Sequence, residues 1–403
     1  MSSEWSETTL GEFVRLQRGH DLTASEQQPG PYPVMGSAGP NGCHNVAKAP
    51  GPGVVVGRSG ASMGKVHYSE GDYWPHNTCL YVTDFQGNSP RFAYYLLSSL
   101  DLAGYNSGSA QPSLNRNYIY GMPLRVPCRA EQDAVVEALS ALDDRITLLR
   151  ETNATLEAIV QALFKSWFVD FDPVRAKMEG RAPDGMDEAT AALFPDSFEE
   201  SELGLVPKGW GTGTLASLFK LHKGSVNPGS QPDVTFQHFS LPAFDVGQMP
   251  VLEQGCAIKS NKTTVPENAV LLSKLNPRIP RVWLPSSVGV NAVCSTEFLP
   301  FVPVGSSTTA FVYCLLAAPV FSESLCQLVT GTSNSHQRVR PDGVLSLPGI
   351  IPSGDVIAAF DSVANGLLAR LKANRQQAQT LATLRDTLLP RLISGQLRLP
   401  EAA

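Results

Sequence analysis

The hexapeptide GASMGK, residues 60 to 65, carries residue types found in two kinds of catalytic loop. Its serine between two glycines matches the G-x-S-x-G turn that exposes a nucleophile, and its lysine suggests a phosphate-binding loop. The phosphate loop is excluded, because it requires a glycine where Ser59 stands and a hydroxyl-bearing residue where Val66 stands. The nucleophile turn requires a following helix, whereas KVHYSEGDYW is rich in aromatic and β-branched residues and predicts a strand. We therefore expect GASMGK to be the turn of a β-hairpin.

This hairpin is suited to contact an anion such as a phosphate. Residues 53 to 69 contain no acidic side chain, and four hydrogen-bond donors lie at or near the turn, namely Arg58, Ser59, Ser62 and Lys65. A hairpin with incidental charges is the plainer alternative. A second alternative is a hydrolase that uses Ser62 with His67 or His76, although no order of acid and histidine here fits a known enzyme of that class. Loss of ester hydrolysis in Ser62→Ala would establish it.

The composition is that of an ordinary globular protein. A chain of 403 residues with 42% hydrophobic residues is long enough for two or three domains. The number of cysteines is odd and none forms a C-x-x-C pair, so we expect neither a metal site nor a disulfide framework. No apolar stretch approaches the roughly 18 residues of a spanning helix, and MSSEWSETTL lacks a signal-peptide pattern. We expect a cytoplasmic protein that does not enter a membrane.

The net charge of −6 argues at first against a nucleic-acid partner, because nucleic-acid-binding domains are usually basic. Residues 131 to 204, however, contain 17 acidic and 6 basic residues, which more than accounts for the excess of acid. Residues 1 to 130 carry nine of each sign, and residues 205 to 352 carry ten basic and seven acidic residues. Outside the acidic segment, clusters such as KLNPRIPR are able to meet phosphates.

The sequence repeats itself. A tryptophan, two leucines and a glycine preceded by a basic residue recur with identical spacing, as Trp5, Leu10, Leu16 and Gly19 and again as Trp210, Leu215, Leu221 and Gly224. Further on, P-x-x-x-P at 123 to 127 matches P-x-x-x-P at 348 to 352, and a long helical pattern follows each. We infer that one unit is used twice, as a globular part that leads into a long helix.

Each long helical pattern has a heptad seam. Apolar residues recur at alternating steps of four and three, which is typical of a coiled coil. The first seam is Val135, Leu139, Leu142, Ile146, Leu149, Asn153, Leu156, Val160, Leu163 and Trp167. The second is Phe360, Ala364, Leu367, Leu371, Asn374, Ala378, Leu381, Arg385, Leu388 and Leu392. Two such seams in one chain are expected to pair with each other rather than only with their own globular parts.

An antiparallel pairing predicts which seam residues face each other. If the seams overlap fully, facing residues have numbers that sum to about 527, so Trp167 faces Phe360. The only asparagines in the seams, Asn153 and Asn374, then face each other as well. We expect their side chains to lie within hydrogen-bond reach, because a buried amide that loses its partner is costly.

The globular parts are predicted to consist of strands and short helices, with RFAYYLLSSL and AFVYCLLAAPVF as helices, and each ends in a loop of small polar residues. These loops are NSGSAQPSLNR (106 to 116) and TGTSNSHQR (330 to 338). They carry side chains that reach base edges or phosphates. The expected DNA contacts outside the GASMGK hairpin are Asn106, Gln111, Asn115, Arg116, Lys274, Asn276, Arg278, Arg281, Asn334, His336, Gln337 and Arg338.

Several longer segments extend this pattern over the whole chain. They are LFKSWFVDFDPVRAKMEG, LFPDSFEESELGLVPKGW and LRDTLLPRLISGQLRLP, together with the paired W-x-x-x-x-L starts. With these segments the chain resembles the specificity (S) subunit of a type I restriction-modification system.

The resemblance implies an α+β fold in which two mixed α/β target recognition domains are separated by a long antiparallel two-helix coiled coil, as an internal pseudo-two-fold repeat. It also implies a non-catalytic subunit that reads a bipartite double-stranded DNA target and binds two methyltransferase (M) subunits and restriction (R) subunits. S-adenosylmethionine then belongs to the methyltransferase subunits, and ATP and Mg to the restriction subunits. This chain would hold no cofactor and no metal.

Under this interpretation the chain divides into five segments. The domains are residues 1–130 and 206–352, the spacer helices lie in 131–170 and 353–403, and 171–205 connect them. A specificity subunit of a related system, whose single partner chain combines restriction and methylation, is an alternative that the gene neighbourhood would resolve.

Overall fold

The computed structural model describes residues 5–108, 111–329 and 337–399. The chain forms two compact units, which we call unit 1 (residues 1–145 and 381–403) and unit 2 (residues 146–380). The helices are α1 (Leu10–Phe13), α2 (Pro90–Ser99), α3 (Arg116–Ile119), α4 (Arg129–Phe168), α5 (Asp172–Met178), α6 (Glu188–Ala192), α7 (Leu241–Gly247), α8 (Thr309–Ala317), α9 (Pro319–Gln327), α10 (Pro341–Leu345) and α11 (Gly354–Ile393).

The strands of unit 1 are β1 (Ser6–Thr9), β2 (Arg15–Arg18), β3 (Tyr32–Gly36), β4 (Gly39–His44), β5 (Gly53–Gly57), β6 (Val66–Ser69), β7 (Trp74–Pro75), β8 (Cys79–Asp84) and β9 (Pro123–Val126). The strands of unit 2 are β10 (Phe198–Ser201), β11 (Gly204–Pro207), β12 (Gly211–Thr214), β13 (Phe219–Leu221), β14 (Ser225–Val226), β15 (Thr235–Phe239), β16 (Val251–Gln254), β17 (Lys262–Thr264), β18 (Val270–Ser273), β19 (Val282–Trp283), β20 (Ala292–Cys294), β21 (Phe298–Pro303) and β22 (Pro348–Ile351).

Unit 1 is built on a four-stranded antiparallel sheet in the order β2-β8-β5-β6. Strand β5 reads GVVVG and is buried throughout, since its β-branched residues fit a strand that is covered on both faces. Helix α2 packs on this sheet through Phe92 and Leu96, which share a core with Leu16 and Val56. Strand β1 pairs with β9 and brings the two ends of the globular part together.

The predicted hairpin is confirmed. Strands β5 and β6 pair antiparallel from Gly53 opposite Ser69 to Val56 opposite Val66. The connecting residues Gly60–Ser62 form a single 3-10 turn, so Ser62 is followed by a strand and not by a helix. Gly60 and Gly64 have φ angles of +77° and +83°, which glycine adopts without strain.

Unit 2 repeats this topology. Its sheet β13-β21-β18-β19 has the strand order of β2-β8-β5-β6, and its pair β12-β22 corresponds to β1-β9. A second, five-stranded sheet in the order β14-β17-β20-β15-β16 has no counterpart of that size in unit 1. The internal repetition predicted from the sequence is therefore present in the described residues, with the larger insertion in the second copy.

Within unit 2, helices α4 and α11 pair antiparallel. The ring centroids of Trp167 and Phe360 lie 5.9 Å apart. Asn374 Nδ2 donates to Asn153 Oδ1 at 2.9 Å, and Asn153 Nδ2 donates to the carbonyl oxygen of Leu371 at 3.2 Å. The predicted hydrogen bond between the two asparagines is confirmed. The bond satisfies the amide of Asn374, which is only 1% exposed.

Within unit 1, the same two helices meet at their other ends. Val135 and Leu139 of α4 share a core with Leu392 of α11. Arg385 occupies a seam position, and its Nη1 donates to Asp143 Oδ1 at 2.7 Å. This ion pair explains how a charged residue is accommodated between the helices, since each charge is partly shielded from water and compensated by the other.

One predicted helix is broken. The segment AFVYCLLAAPVF was expected to be a single helix, but the chain bends by 65° between α8 and α9. Pro319 causes the break, because proline lacks an N–H and disfavours the helical conformation of the preceding Ala318, whose ψ is 139°. Among the described residues no single helix is long and apolar enough to cross a membrane, and α8 and α9 satisfy that test only as a bent pair.

Candidate nucleic-acid interface

A polar cleft of about 740 Å³ lies in unit 1 at the end of strand β2. Three arginines line it, and they come from three separate parts of the chain: Arg18 is the last residue of β2, Arg58 follows β5 and Arg116 begins α3. The other lining residues are Gln17, Gly19, His20, Asp21, Leu80, Ser107, Ser113, Leu114 and Asn115. The cleft thus joins part of the predicted hairpin to the predicted polar loop.

Main-chain hydrogen bonds hold Arg58 in this cleft. Its N–H donates to the carbonyl oxygen of Thr78 at 2.9 Å, and its carbonyl oxygen accepts from the N–H of Leu114 at 2.8 Å. The guanidinium donates to the carbonyl oxygen of Asn77 at 3.0 Å. The N–H of Gly60 donates to the carbonyl oxygen of Pro112 at 3.2 Å. The hairpin and the loop 106 to 116 therefore form one connected surface.

Gly19 places Arg18 at the mouth of the cleft. A Cβ at this position would lie 2.1 Å from the carbonyl oxygen of His76. Only glycine therefore allows the backbone at residue 19 to lie this close to the backbone of His76. The Arg18 side chain is 57% exposed and lies 3.4 Å from Asp21. An ion pair that exposed contributes little stability, so the guanidinium is readily available to a ligand.

Unit 2 repeats the main-chain arrangement with different side chains. Lys274 takes the place of Arg58, since its N–H donates to the carbonyl oxygen of Glu297 at 2.9 Å and its carbonyl oxygen accepts from Val339 at 3.0 Å. The N–H of Asn276 donates to the carbonyl oxygen of Gln337 at 2.9 Å. Asn276 has a φ of +50° and Gly60 one of +77°, so these residues also correspond in conformation.

Two of the predicted contacts in unit 2 are engaged within the protein. Arg281 makes a bidentate pair with Asp245, at 2.7 and 3.0 Å, and its side chain is only 15% exposed. Arg338 is paired with Glu297 at 3.1 Å. The hydrogen bonds from Glu297 raise the pKa of Arg338 above its ordinary value, with a smaller contribution from the charge of Glu297. Both arginines thus have a role in positioning their loops.

Other predicted residues serve the loop of unit 1. Asn106 Oδ1 accepts from the N–H groups of Gly108 and Ser113, at 2.9 and 3.0 Å. Asn115 caps α3, because its side chain accepts from the N–H of Asn117 at 3.0 Å. Arg116 Nη1 donates to the carbonyl oxygen of Leu16 at 2.8 Å. These bonds set the loop conformation.

The remaining predicted residues make fewer contacts. Lys65, Gln111 and Arg278 are exposed, whereas Ser59 and Ser62 are half-buried. Asn334 and His336 lie outside the described residues.

The hydrolase alternative finds no support around Ser62. His67 Nε2 is bonded to the carbonyl oxygen of Ser37 at 3.1 Å. His76 is bonded through one ring nitrogen to Thr78 and through the other to the carbonyl oxygen of Leu22. Neither histidine is bonded to Ser62, as a general base for that hydroxyl would be.

Sequence reasoning did not select Gln17, Arg18, His20 and Asp21, which line the cleft at the end of β2. A signal was available, because Arg18-Gly19 recurs as Lys223-Gly224 with the spacing of the internal repeat. A Cβ on Gly224 would lie 2.1 Å from Thr264 Oγ1, so the second glycine also permits a close approach.

Replacement of the exposed Lys65 and the half-buried Lys274 tests whether these surfaces contact the DNA backbone. Lys65→Ala and Lys274→Ala are each expected to weaken binding to specific and random DNA alike, and to reduce the slope of log affinity against log salt by about one. The measurement is a DNA-binding titration at several salt concentrations. Lys259→Ala is the matched control, because Lys259 is exposed in unit 2 and its ammonium bonds only to the carbonyl oxygen of Cys256 among the described residues. An unchanged slope in both test variants would show that these lysines do not contact DNA phosphates.

Comparisons with known proteins show what the chain is similar to. A family model described as "Type I restriction modification DNA specificity domain" matches residues 2–158. The chain is similar to the HindI specificity subunit of a type I restriction enzyme from Haemophilus influenzae, with 24% identity over 365 residues, 76% of this chain and 77% of the relative. It is also similar to the MjaIX specificity subunit from Methanocaldococcus jannaschii, with 23% identity over 371 residues, 87% of this chain and 78% of the relative.

A solved structure shares the fold. The crystal structure of a type I restriction-modification S subunit from M. genitalium aligns with a TM-score of 0.55 and 16% identity, over 100% of this chain and 98% of that chain.

Proposed function

We propose that the chain is a type I restriction-modification DNA specificity subunit and that it reads a bipartite DNA sequence, one half with each unit. It is a sequence-specific DNA-recognition subunit and not itself an enzyme. The observation that carries the proposal is the repeated arrangement around Arg58 in unit 1 and Lys274 in unit 2. Each places a basic residue between a strand end and a polar loop.

The chemistry of the unit 1 cleft supports a role in base recognition. Arginine guanidinium groups bind guanine O6 and N7 in a bidentate manner, and glutamine and asparagine amides bind adenine N6 and N7. Arg18, Gln17 and Asn115 present these groups in one cleft. The lysines and the remaining arginines supply contacts to phosphates, which position the protein without reading sequence.

The layout that we propose follows the family. Two target recognition domains, residues 1–130 and 206–352, are separated by an antiparallel coiled coil of α4 and α11. The contact of Trp167 with Phe360, the asparagine pair and the Asp143–Arg385 ion pair support this arrangement. All three obey the same antiparallel register, because their residue numbers sum to 527 or 528.

The chemistry of the complex resides in other subunits. We place two methyltransferase subunits, which use S-adenosylmethionine, and restriction subunits, which use ATP and Mg, on this chain in the cytoplasm. Double-stranded DNA is the ligand of the chain itself. The test is the pattern of adenine methylation that the assembled complex leaves on DNA, which should be a two-part motif with a fixed spacer.

A further inference from the structure

Unit 2 contains an open apolar groove of about 330 Å³, far in sequence from the Lys274 loop. The C-terminal end of α4, helices α8 and α9, strand β22 and the β10–β11 hairpin form its walls. Phe168, Phe171, Leu315 and Phe321 lie in its lining. A pocket of this size and composition accepts apolar side chains of a ligand.

The rim of the groove exposes large apolar side chains to solvent. Leu203 is 41% exposed, Leu205 is 64% exposed and Val320 is 53% exposed, and all three line the groove. Leu203 lies in the tight turn between β10 and β11, a position that polar residues usually occupy. Contiguous exposed apolar surface of this kind marks an interaction site.

The rim is also acidic. Glu200 is the cross-strand partner of Leu205, so a carboxylate and an exposed apolar side chain lie side by side. Glu202 lies in the same turn as Leu203, and the exposed Glu323 precedes the lining residue Ser324 on α9. In the part of the chain that the structure describes, none of these three glutamates forms an ion pair. The groove therefore suits a ligand that is apolar on one face and basic at its edge.

We propose that this groove binds an amphipathic helix of the methyltransferase subunit, with apolar side chains in the groove and lysine or arginine residues beside Glu200, Glu202 and Glu323. This inference rests on the proposed function, because the methyltransferase partner is part of it. Helices that dock in apolar grooves do so through side chains at positions i, i+3 or i+4 and i+7, which form one face.

Charge favours this occupant over a second copy of the chain. In a symmetric dimer the same patch lies on both sides of the interface, so the acidic hairpin would face its own copy. The hairpin segment 198 to 207 contains three glutamates and no basic residue, and the chain as a whole has a net charge of −6. Like charges at such an interface oppose association, whereas a basic partner is attracted.

The groove acts as an anchor within a larger interface. Stable complexes bury roughly 1,200–2,000 Å² in total, which is more than a groove of this size provides. A few central apolar contacts nonetheless dominate the affinity of most interfaces. Disrupting the rim is therefore expected to weaken the complex strongly even though other contacts remain.

The test compares Leu205→Glu with Leu252→Glu in the full chain. Leu252 is the matched control, because it is 72% exposed, also lies in unit 2 on β16 and is absent from the groove lining. We expect Leu205→Glu to weaken binding to the purified methyltransferase subunit about tenfold or more, and Leu252→Glu to change it less than about twofold. A photoreactive benzoylphenylalanine at position 205 should crosslink to the methyltransferase subunit, and one at position 252 should not.

A second variant tests the contribution of the acidic rim. Glu200→Lys combined with Glu202→Lys should also weaken binding, and the salt dependence of the remaining affinity should decrease. Circular dichroism and DNA binding of each variant check that the fold is retained. Retained DNA binding distinguishes loss of the partner from loss of the fold.

The outcomes distinguish a failure of the proposed function from a failure of the groove assignment. A wild-type chain that binds neither the methyltransferase subunit nor DNA overturns the proposed function together with the groove assignment. A wild-type chain that binds the methyltransferase subunit, with Leu205→Glu binding equally well and no crosslink from position 205, overturns the groove assignment alone. A crosslink from position 205 to a second copy of this chain also overturns it.

Discussion

Exchange of residues 206–352 for the corresponding segment of a specificity subunit with a different DNA preference is expected to replace one half of the recognised motif completely. The other half and the spacer length should stay unchanged. The physical reason is that each unit has its own loop, its own basic residue and its own apolar core. The measurement is sequencing of methylated DNA from cells that express the chimera with the methyltransferase subunit.

The chimera must keep the contacts of the exchanged segment with the helices. The ring of Phe311 lies 5.5 Å from that of Phe164 and 5.0 Å from that of Phe168, by ring centroids. The donor segment should therefore carry a large apolar residue at the position of Phe311. The reciprocal exchange of residues 1–130 is the control and should change only the other half of the motif. A change in both halves from a single exchange would refute the assignment of one half to each unit.

The variant Phe360→Ala is expected to lower the free energy of unfolding by about 3–5 kcal/mol. Phe360 is fully buried, and its ring centroid lies 5.3 Å from that of Phe168, 5.8 Å from that of Phe164 and 5.9 Å from that of Trp167. Truncation removes these contacts and leaves a cavity that the surrounding rings cannot fill. Urea-induced unfolding followed by the fluorescence of the five tryptophans, one of which is Trp167 beside Phe360, measures the change.

Val363 provides the control for this variant. It lies on the same helix but is 49% exposed, so Val363→Ala should change the free energy of unfolding by less than about 0.5 kcal/mol. The same small effect from Phe360→Ala and Val363→Ala would contradict the packing of Phe360 in the core of unit 2.

The pairing of the two long helices could be predicted from the sequence because a heptad seam restricts each residue to a face. For antiparallel helices, full overlap of the two seams fixes the register, because facing residue numbers then sum to about 527. Asn153 and Asn374 follow as partners. The strands were also predictable, since runs such as VVVGRSG are β-branched and end in glycine. The break between α8 and α9 was missed although Pro319 signals it.

The side-chain partners within the candidate site could not be predicted. Arg281 and Asp245 are 36 residues apart, and Arg338 and Glu297 are 41 residues apart. No local pattern links residues at such distances, because their approach depends on how the strands and loops fold together. The meeting of Arg18, Arg58 and Arg116 in one cleft could not be predicted either, because they come from distant segments, although the internal repeat singled out Arg18.

We propose that the chain directs methylation to a bipartite DNA sequence. The most direct measurement is single-molecule sequencing of methylated adenines in cells that lack other adenine methylation and express this chain with its methyltransferase subunits. We expect one motif of two short specific halves separated by a spacer of fixed length and unspecified sequence, and no such motif when the chain is omitted. A single continuous motif, or the same methylation without the chain, would contradict it.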